Sequence, residues 1–473
     1  MRPLSVIRLG LVALALAWPS ACSKSAPENQ TNLLFVVFDT TRPDHLSAYG
    51  YEKPTTPRLE ALAARGTRFD RVRSASTLTP VSAASFFTGQ LPPKTGVRSL
   101  FMFSKNGLSP DVTPLAELLS QSGRSTAAFV SAPPMGHRYG FDRGFDVFDD
   151  DVKEHAEALR AQKIGNAYQR RADATTDRAL EWLDANQDEP FGLVVHYFDA
   201  HDPSLVPPRA FLESRVSFDL PADLDERGHL DNLFDGAEPG QGGPRAADLI
   251  ELFDAEIEYM DTQLGRLLDT LATRGDLGNT LVVMLADHGE SLGQHDFWTH
   301  GLMWDEQLHV PLILAGPGIP EGATLQDPVS LVDLVPSLTN LLNLKRPAGL
   351  HGRSFTPLFN PETAHEFLWR PALSEVHNSP GDKTGRPPAL FAVTSWPWKL
   401  IVQPGSPDKL FNLESDPAEL TDLARTSGED HSATIRALAA MLGAAGLVEG
   451  GTVPNLEDLD PEERAMLEKL GYL

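Results

Sequence analysis

Cysteine is all but missing: Cys22 is the single one in 473 residues. A lone cysteine excludes an internal disulfide and a thiolate metal cage, and it leaves no thiol nucleophile in the body of the chain. Positive charge is also short, with 40 Lys and Arg against 65 Asp and Glu and a formal net charge of −25. That balance argues against a nucleic-acid partner, because phosphate backbones are held by an excess of Lys and Arg. Small anionic ligands stay open, since a metal ion or a few local cations can invert the field inside a cleft. After residue 22 no apolar run is long enough to span a membrane.

What is present suits a soluble globular protein: 41% hydrophobic and 22% charged residues. The length exceeds one ordinary core, so a large domain plus a smaller one is expected. The first stretch, "MRPLSVIRLGLVALALAWPSAC", carries Arg2 and Arg8, an apolar run from Leu9 to Trp18, and then small residues. It reads as an export signal over 1–22, followed by a polar tether over 23–31. Two readings of Cys22 stay open. It is incidental, or it is lipidated after cleavage, because Ser20 and Ala21 are small as in a bacterial lipobox. Either way the mature chain is expected outside the cytoplasm, as a periplasmic or outer-membrane lipoprotein or as a secreted protein, with membrane contact only through the anchor.

Near-continuous apolar runs of strand length recur at 33–39, 126–130, 191–198, 281–287 and 310–316. Such runs suit strands buried on both faces of a helix-covered parallel sheet. Between them Leu249, Phe253, Ile257, Met260, Leu264, Leu267 and Leu271 step by three or four residues, which predicts a long helix. The alternation predicts an α/β, doubly wound domain over 32–360. From 361 to 473 the texture changes to short strands such as "LFAVTSWPWKLIVQ" and a helical "HSATIRALAAMLGAAG", a small α+β subdomain. The Pro-, Gly- and Asp-rich stretch 204–243 reads as a loop covering a site.

In open α/β sheets ligands bind beyond the carboxyl ends of the strands. Three ends here carry polar residues: Asp39, then His201 and Asp202, then Asp287 and His288. One such end is ordinary turn chemistry; three would converge on one rim. Asp39, Asp287 and His288 form a carboxylate and imidazole set suited to one divalent ion, Zn or Mn, with Ca or Mg less well matched. A hydroxyl at a helix start would complete the group, and Thr79, before Pro80, is the candidate. Thr79 also reads as a plain helix cap. Lys94 and Arg98 follow the same helix and read either as anion contacts or as solvated charges.

With those residues in view, the chain resembles the sulfatase family of the alkaline-phosphatase superfamily. "FDTTRPDHLSAYGYEKPTTPRLEALAARGTRFDRV", "ASFFTGQLP", "HYFDAHDP", "FDAEIEYMDTQLGRLL", "ADHGESLGQHDFWTHG", "LHGRSFTPLF", "KLFNLESDPAEL" and "LEKLGYL" have family counterparts in the same order. The resemblance implies a large mixed, mostly parallel sheet between helices, with one divalent ion (Ca, Mn or Zn) on Asp39, Asp287, His288 and Thr79. It implies Thr79, His201 and His300 as catalytic residues, with His201 and His300 on the anionic ester, where Lys94 is the further substrate-binding candidate from its place after the helix. It leaves His351 as a hydrogen-bonded structural residue at least as readily as a site residue, and Asp261 and Tyr259 as structural.

The chain departs from the family motif, which reads Cys or Ser, any residue, Pro, Ser, Arg, Ala, Ser. Thr79 stands at the first position and Ala83 at the Arg; Thr40 replaces the second Asp of the opening pair, and His288 replaces a frequent Asn. Oxidised Thr gives a ketone, so the family's formylglycine aldehyde cannot form at Thr79. This combination resembles superfamily members that use an unmodified Thr on phosphoesters. The expected activity is hydrolysis of an anionic ester, phosphate before sulfate, with a small, glycan or lipid substrate. Phosphoryl transfer to an envelope acceptor and a non-catalytic, glycan-binding envelope protein are the alternatives. Ser82, one helical turn deeper than Thr79, is the runner-up nucleophile.

Overall fold

The computed structural model describes residues 30–100, 107–152, 169–187, 189–201, 206–220, 244–378, 386–426 and 430–448. Cys22, the export segment, Asp202, most of the 204–243 stretch and the closing "LEKLGYL" lie outside them.

The apolar runs form the middle of a nine-stranded sheet. Its strands are β1 (Asn32–Phe38), β2 (Gly66–Arg73), β3 (Ser125–Val130), β4 (Val147–Asp149), β5 (Phe191–Tyr197) and β6 (Thr280–Leu285). After the short hairpin β7 (Ser291–Leu292) and β8 (Trp298–Thr299), the sheet is completed by β9 (His309–Ala315), β10 (Ala323–Leu325) and β11 (Val329–Ser330). The order is β10-β2-β9-β6-β1-β5-β3-β4, with β11 also on β2. β1 lies between β6 and β5 and is parallel to both.

Every residue of β1 is buried, and the strand's period of two sends alternate side chains into two different cores. Leu33, Phe35 and Val37 pack on one face with helix α2, which spans Thr79–Thr88. Leu34, Val36 and Phe38 pack on the other face with the long helix Pro244–Arg274, whose Ile257, Met260 and Leu264 are fully buried. Each such side chain contributes about 1.5–3 kcal/mol. Asp261 on the long helix accepts from the backbone N–H groups of Arg58 and Leu59, at 2.8 and 2.9 Å. It thereby caps helix α1 (Pro57–Ala64), a structural role.

The sheet is mixed because β9 runs antiparallel to both β2 and β6. Its sequence reads like the parallel strands because it too is covered on both faces, and burial carries no sign of direction. β2 ("GTRFDRVR") and β12 ("ALSEVH") have no long apolar run to announce them. The C-terminal subdomain is a four-stranded antiparallel sheet of β12 (Ala372–His377), β13 (Ala389–Ser395), β14 (Trp398–Val402) and β15 (Lys409–Asn412). It packs Phe391, Val393 and Leu400 on the helix Ser432–Ala444. No helix among the described residues is long and apolar enough to cross a membrane.

Candidate active site

Parallel register brings the three polar strand ends side by side. Phe38 pairs with Tyr197 and Val37 with Leu285, so Asp39 and Asp287 leave adjacent strands at nearly the same height. The Asp39 N–H still donates to the Tyr197 carbonyl at 2.9 Å. Asp39, Asp287 and His288 are all fully buried. Each offers one donor atom, and those atoms lie within 4.8 Å of one another.

Thr79 reaches the same point. Its Oγ1 lies 3.3 Å from Asp39 Oδ2 and 3.3 Å from His288 Nε2. This corrects the plain cap reading. Leu78 is the N-cap, extended at φ −129° and ψ 125°, and Thr79 is the first helical residue with its hydroxyl turned away from the backbone. All ten residues of α2 are buried, and the helix stops at Gly89, whose φ of +67° favours glycine. Ser82 does not point to the cluster. Its hydroxyl donates to the Asp287 carbonyl at 2.7 Å and sits 2.9 Å from Ser74 Oγ.

The donor set fits a divalent cation. Asp39 Oδ1 and Asp287 Oδ2 are buried without a hydrogen-bond partner, a costly state unless something positive faces them. Burial, and next the Asp287 charge, hold the Asp39 carboxyl well above the usual carboxylate range. His288 Nδ1 lies 2.9 Å from the Gly289 carbonyl, which assigns the proton to Nδ1 and turns the Nε2 lone pair toward Thr79 and Asp39. Two carboxylates and one imidazole suit an ion such as Zn or Mn. Thr40 takes no part: at φ +51° its hydroxyl donates to the Asp39 carbonyl and its N–H to Asp287 Oδ1.

His201 and His300 form the adjoining wall. Their Nε2 atoms are 3.1 Å apart, and His300 Nδ1 sits 2.7 Å from the Thr77 carbonyl. The His300 ring centroid is 4.6 Å from that of His288, and His201 stacks on Phe198 at 4.1 Å. Burial is the chief cause that pushes both imidazoles far below their ordinary range. Both are therefore neutral at pH 7.

The cationic residues after α2 are not brought to this wall. Lys94 is exposed on the short helix Pro92–Thr95, and its charge acts on His351. Arg98 is committed to Glu375 through two bonds of 2.7 Å. His351 accepts the Leu91 N–H at 3.3 Å, a structural bond. Of two residues that sequence reasoning passed over, one borders the cluster and the other lies beside the residue after His300. His196, fully buried in β5, places Nε2 2.8 Å from Asp39 Oδ2; a His inside the apolar "FGLVVHYF" was the available signal. Arg386 lies against Gly301, next to His300, and nothing in "GDKTGRPP" marks it.

The family model described as sulfatase matches residues 31–344, and one described as N-sulphoglucosamine sulphohydrolase, C-terminal, matches residues 293–442. The chain is 27% identical over 443 residues to a choline-sulfatase of Rhizobium meliloti (strain 1021), covering 82% of this chain and 81% of that protein. It is 22% identical over 499 residues to an N-acetylglucosamine-6-O-sulfatase of Bacteroides thetaiotaomicron, covering 89% and 87%. A solved phosphonate monoester hydrolase of Agrobacterium radiobacter superposes with a TM-score of 0.68 at 22% identity, over 88% of this chain and 96% of that one. At that identity the likeness speaks for the fold, which is alkaline-phosphatase-like.

Proposed function

The chain belongs to the sulfatase family, and from that premise we propose that it is a metal-dependent hydrolase of anionic esters with Thr79 as its nucleophile. The observation that carries this reading is the Thr79 hydroxyl, 3.3 Å from both Asp39 Oδ2 and His288 Nε2 at the start of a fully buried helix. A divalent cation held by Asp39, Asp287 and His288 would supply Lewis acidity, lowering the hydroxyl pKa and offsetting charge on the transferred group.

Thr79 Oγ1 attacks phosphorus or sulfur in line; the new O–P or O–S bond forms as the bond to the alcohol oxygen breaks. The hydroxyl proton leaves along the hydrogen bond to Asp39 Oδ2, and the departing alcohol takes a proton from solvent. The free end of α2 favours the developing negative charge. The wall of His201 and His300 orients the ester's oxygens. Water then attacks the Thr79 ester, releasing the acid and restoring the hydroxyl.

Phosphate or phosphonate esters are the favoured substrates. The formylglycine hydrate that releases sulfate by elimination cannot form on Thr79, whereas a phosphorylated Thr can be hydrolysed directly. The relatives named as sulfatases support the other arm, sulfated glycans among its substrates. A panel of chromogenic phosphate mono- and diesters, phosphonates and sulfates, run with several metals, separates the two. On the best substrate Thr79→Ala is expected to lose about 10³-fold or more in kcat, with metal content retained. Unchanged turnover sinks the nucleophile. The buried, uncharged Ala83 at the motif Arg position favours one rival, a non-catalytic anion-binding protein. That rival predicts metal and ligand binding with no turnover on any ester.

A further inference from the structure

Among the described residues the site is poor in positive charge. Two carboxylates would balance one divalent ion held there, and α2 carries Ala83 where the family motif has an arginine. An anion entering such a place loses water and gains no net countercharge, which is unfavourable. Lys94, which is exposed, and Arg98, which is paired with Glu375, do not repair this.

Among the described residues a further cation lies beside the residue that follows His300, and it comes from the C-terminal subdomain. Asn378, just past β12, donates through Nδ2 to the Gly301 carbonyl at 3.0 Å and to the Pro387 carbonyl at 2.8 Å. Its backbone N–H donates to the Pro388 carbonyl at 3.0 Å. These bonds pin the approach to β13 against the residue that follows His300. Arg386 lies on that approach. A Cβ on Gly301 would stand 3.0 Å from Arg386 Cδ and 3.1 Å from Arg386 Nε, and the φ of +106° at Gly301 independently favours glycine. The guanidinium also lies over the Phe297 ring, 5.6 Å from its centroid, so it is flanked by hairpin residues on both sides of β8.

We propose that Arg386 is the oxyanion-binding cation of this site, delivering from the C-terminal subdomain the charge that Ala83 withholds from helix α2. Its ligand class is a tetrahedral oxyanion, the shared chemistry of phosphate and sulfate groups. A planar fork of N–H donors can grip two oxygens of such a group at once. The proposal rests on the ester-hydrolase reading only for the identity of the ligand.

The test is calorimetric titration of the full, metal-loaded protein with inorganic phosphate and, separately, with inorganic sulfate. Arg386→Gln is expected to raise the dissociation constant of the preferred oxyanion about 10–100-fold, the range of one hydrogen-bonded charge. Arg386→Lys recovers part of the loss, because the charge remains and the fork does not. The KM of the ester substrate rises in parallel while kcat stays within about threefold. Metal content and melting temperature stay at wild-type values. Unchanged oxyanion binding in Arg386→Gln overturns the proposal, and so does a wild type that binds neither anion at millimolar concentration. A loss of binding that accompanies a lower melting temperature or lost metal, and that Lys does not restore, assigns Arg386 to packing and overturns it too. Thr79→Ala keeps the two claims apart. If it binds phosphate and turns nothing over, the ester-hydrolase reading survives whatever Arg386 does; if it still turns over, that reading falls while the titration still decides Arg386.

Discussion

Asp39 is held from two sides, and the second side was invisible in the motif. Thr79 and His196 both approach Oδ2, at 3.3 and 2.8 Å, which leaves Oδ1 as the oxygen without a partner. Burial pushes the His196 imidazole down to about 4, so it is neutral and donates through Nε2. If Asp39 ligates an ion, as proposed, a carboxylate fixed in this way would keep one lone pair aimed at it, and loss of such a partner usually costs about 10–100-fold in metal affinity. His196→Phe keeps a ring in the core and removes the donor. It should weaken divalent-metal binding by about that factor, measured by competition with a fluorescent chelator; unchanged affinity would show that Asp39 needs no such support. Asp39, Asp287, His288 and Thr79 were legible because each sits at an element end or beside a proline. His196 and Arg386 were not, since their neighbours in space are far away in the chain.

At the scale of elements, Thr79, the proposed nucleophile, is placed by how α2 docks on the end of β6. Ser82 ties the two, bonding the Asp287 carbonyl at 2.7 Å and Ser74 Oγ at 2.9 Å. Ser82→Ala breaks that tie and leaves a buried acceptor short of one partner, at a cost of about 1–3 kcal/mol in stability. Turnover should fall by less than about tenfold, against about 10³-fold or more for Thr79→Ala. Denaturant midpoints and steady-state rates on the same preparations check both, and a dead Ser82→Ala with full stability would return Ser82 to candidacy. The long helix and the fully apolar strands were readable from periodicity alone. β9 was readable as a strand but not in direction, because a strand covered on both faces has no polar side to orient it. β2 and β12 were passed over because their charged residues are paired inside the fold: Arg68 with Asp70, and Glu375 with Arg98.

At the scale of the whole molecule, a buried charge network joins the central sheet to the C-terminal one. Arg73 on β2 holds Asp305 through two bonds of 2.8 Å, and Lys399 on β14 stands 3.5 Å from Asp305 and 2.8 Å from Glu419. Burial alone would raise the Asp305 carboxyl, yet the charges of Arg73 and Lys399 outweigh it and hold the group below the usual carboxylate range. The unfolded chain therefore takes up this proton first as pH falls. The contribution is present above about pH 4 and is lost as pH drops toward the lower folded-state value. Asp305→Asn strands Arg73 and should cost about 3–5 kcal/mol at pH 7, while flattening the loss of stability below pH 4. Urea titrations from pH 3 to 7 report both effects; an acid limb as steep as the wild type's would remove Asp305 as its source. This network and the Asn378 bonds to Gly301 make the C-terminal sheet part of the site's frame.

The sequence by itself determined the α/β alternation, the buried central strands, and which polar residues cap their carboxyl ends. Those features are local, written in periods of two and 3.6 residues and in the residue that follows each apolar run. Only the tertiary structure decided that Thr79 bonds Asp39 and His288 and not its own backbone, and that Lys94 is exposed. It also decided that the cation beside His300 comes from Arg386, in the C-terminal subdomain. Each of these depends on how elements far apart in the chain dock, and docking is set by the combined shape and charge of many side chains, which no short stretch records.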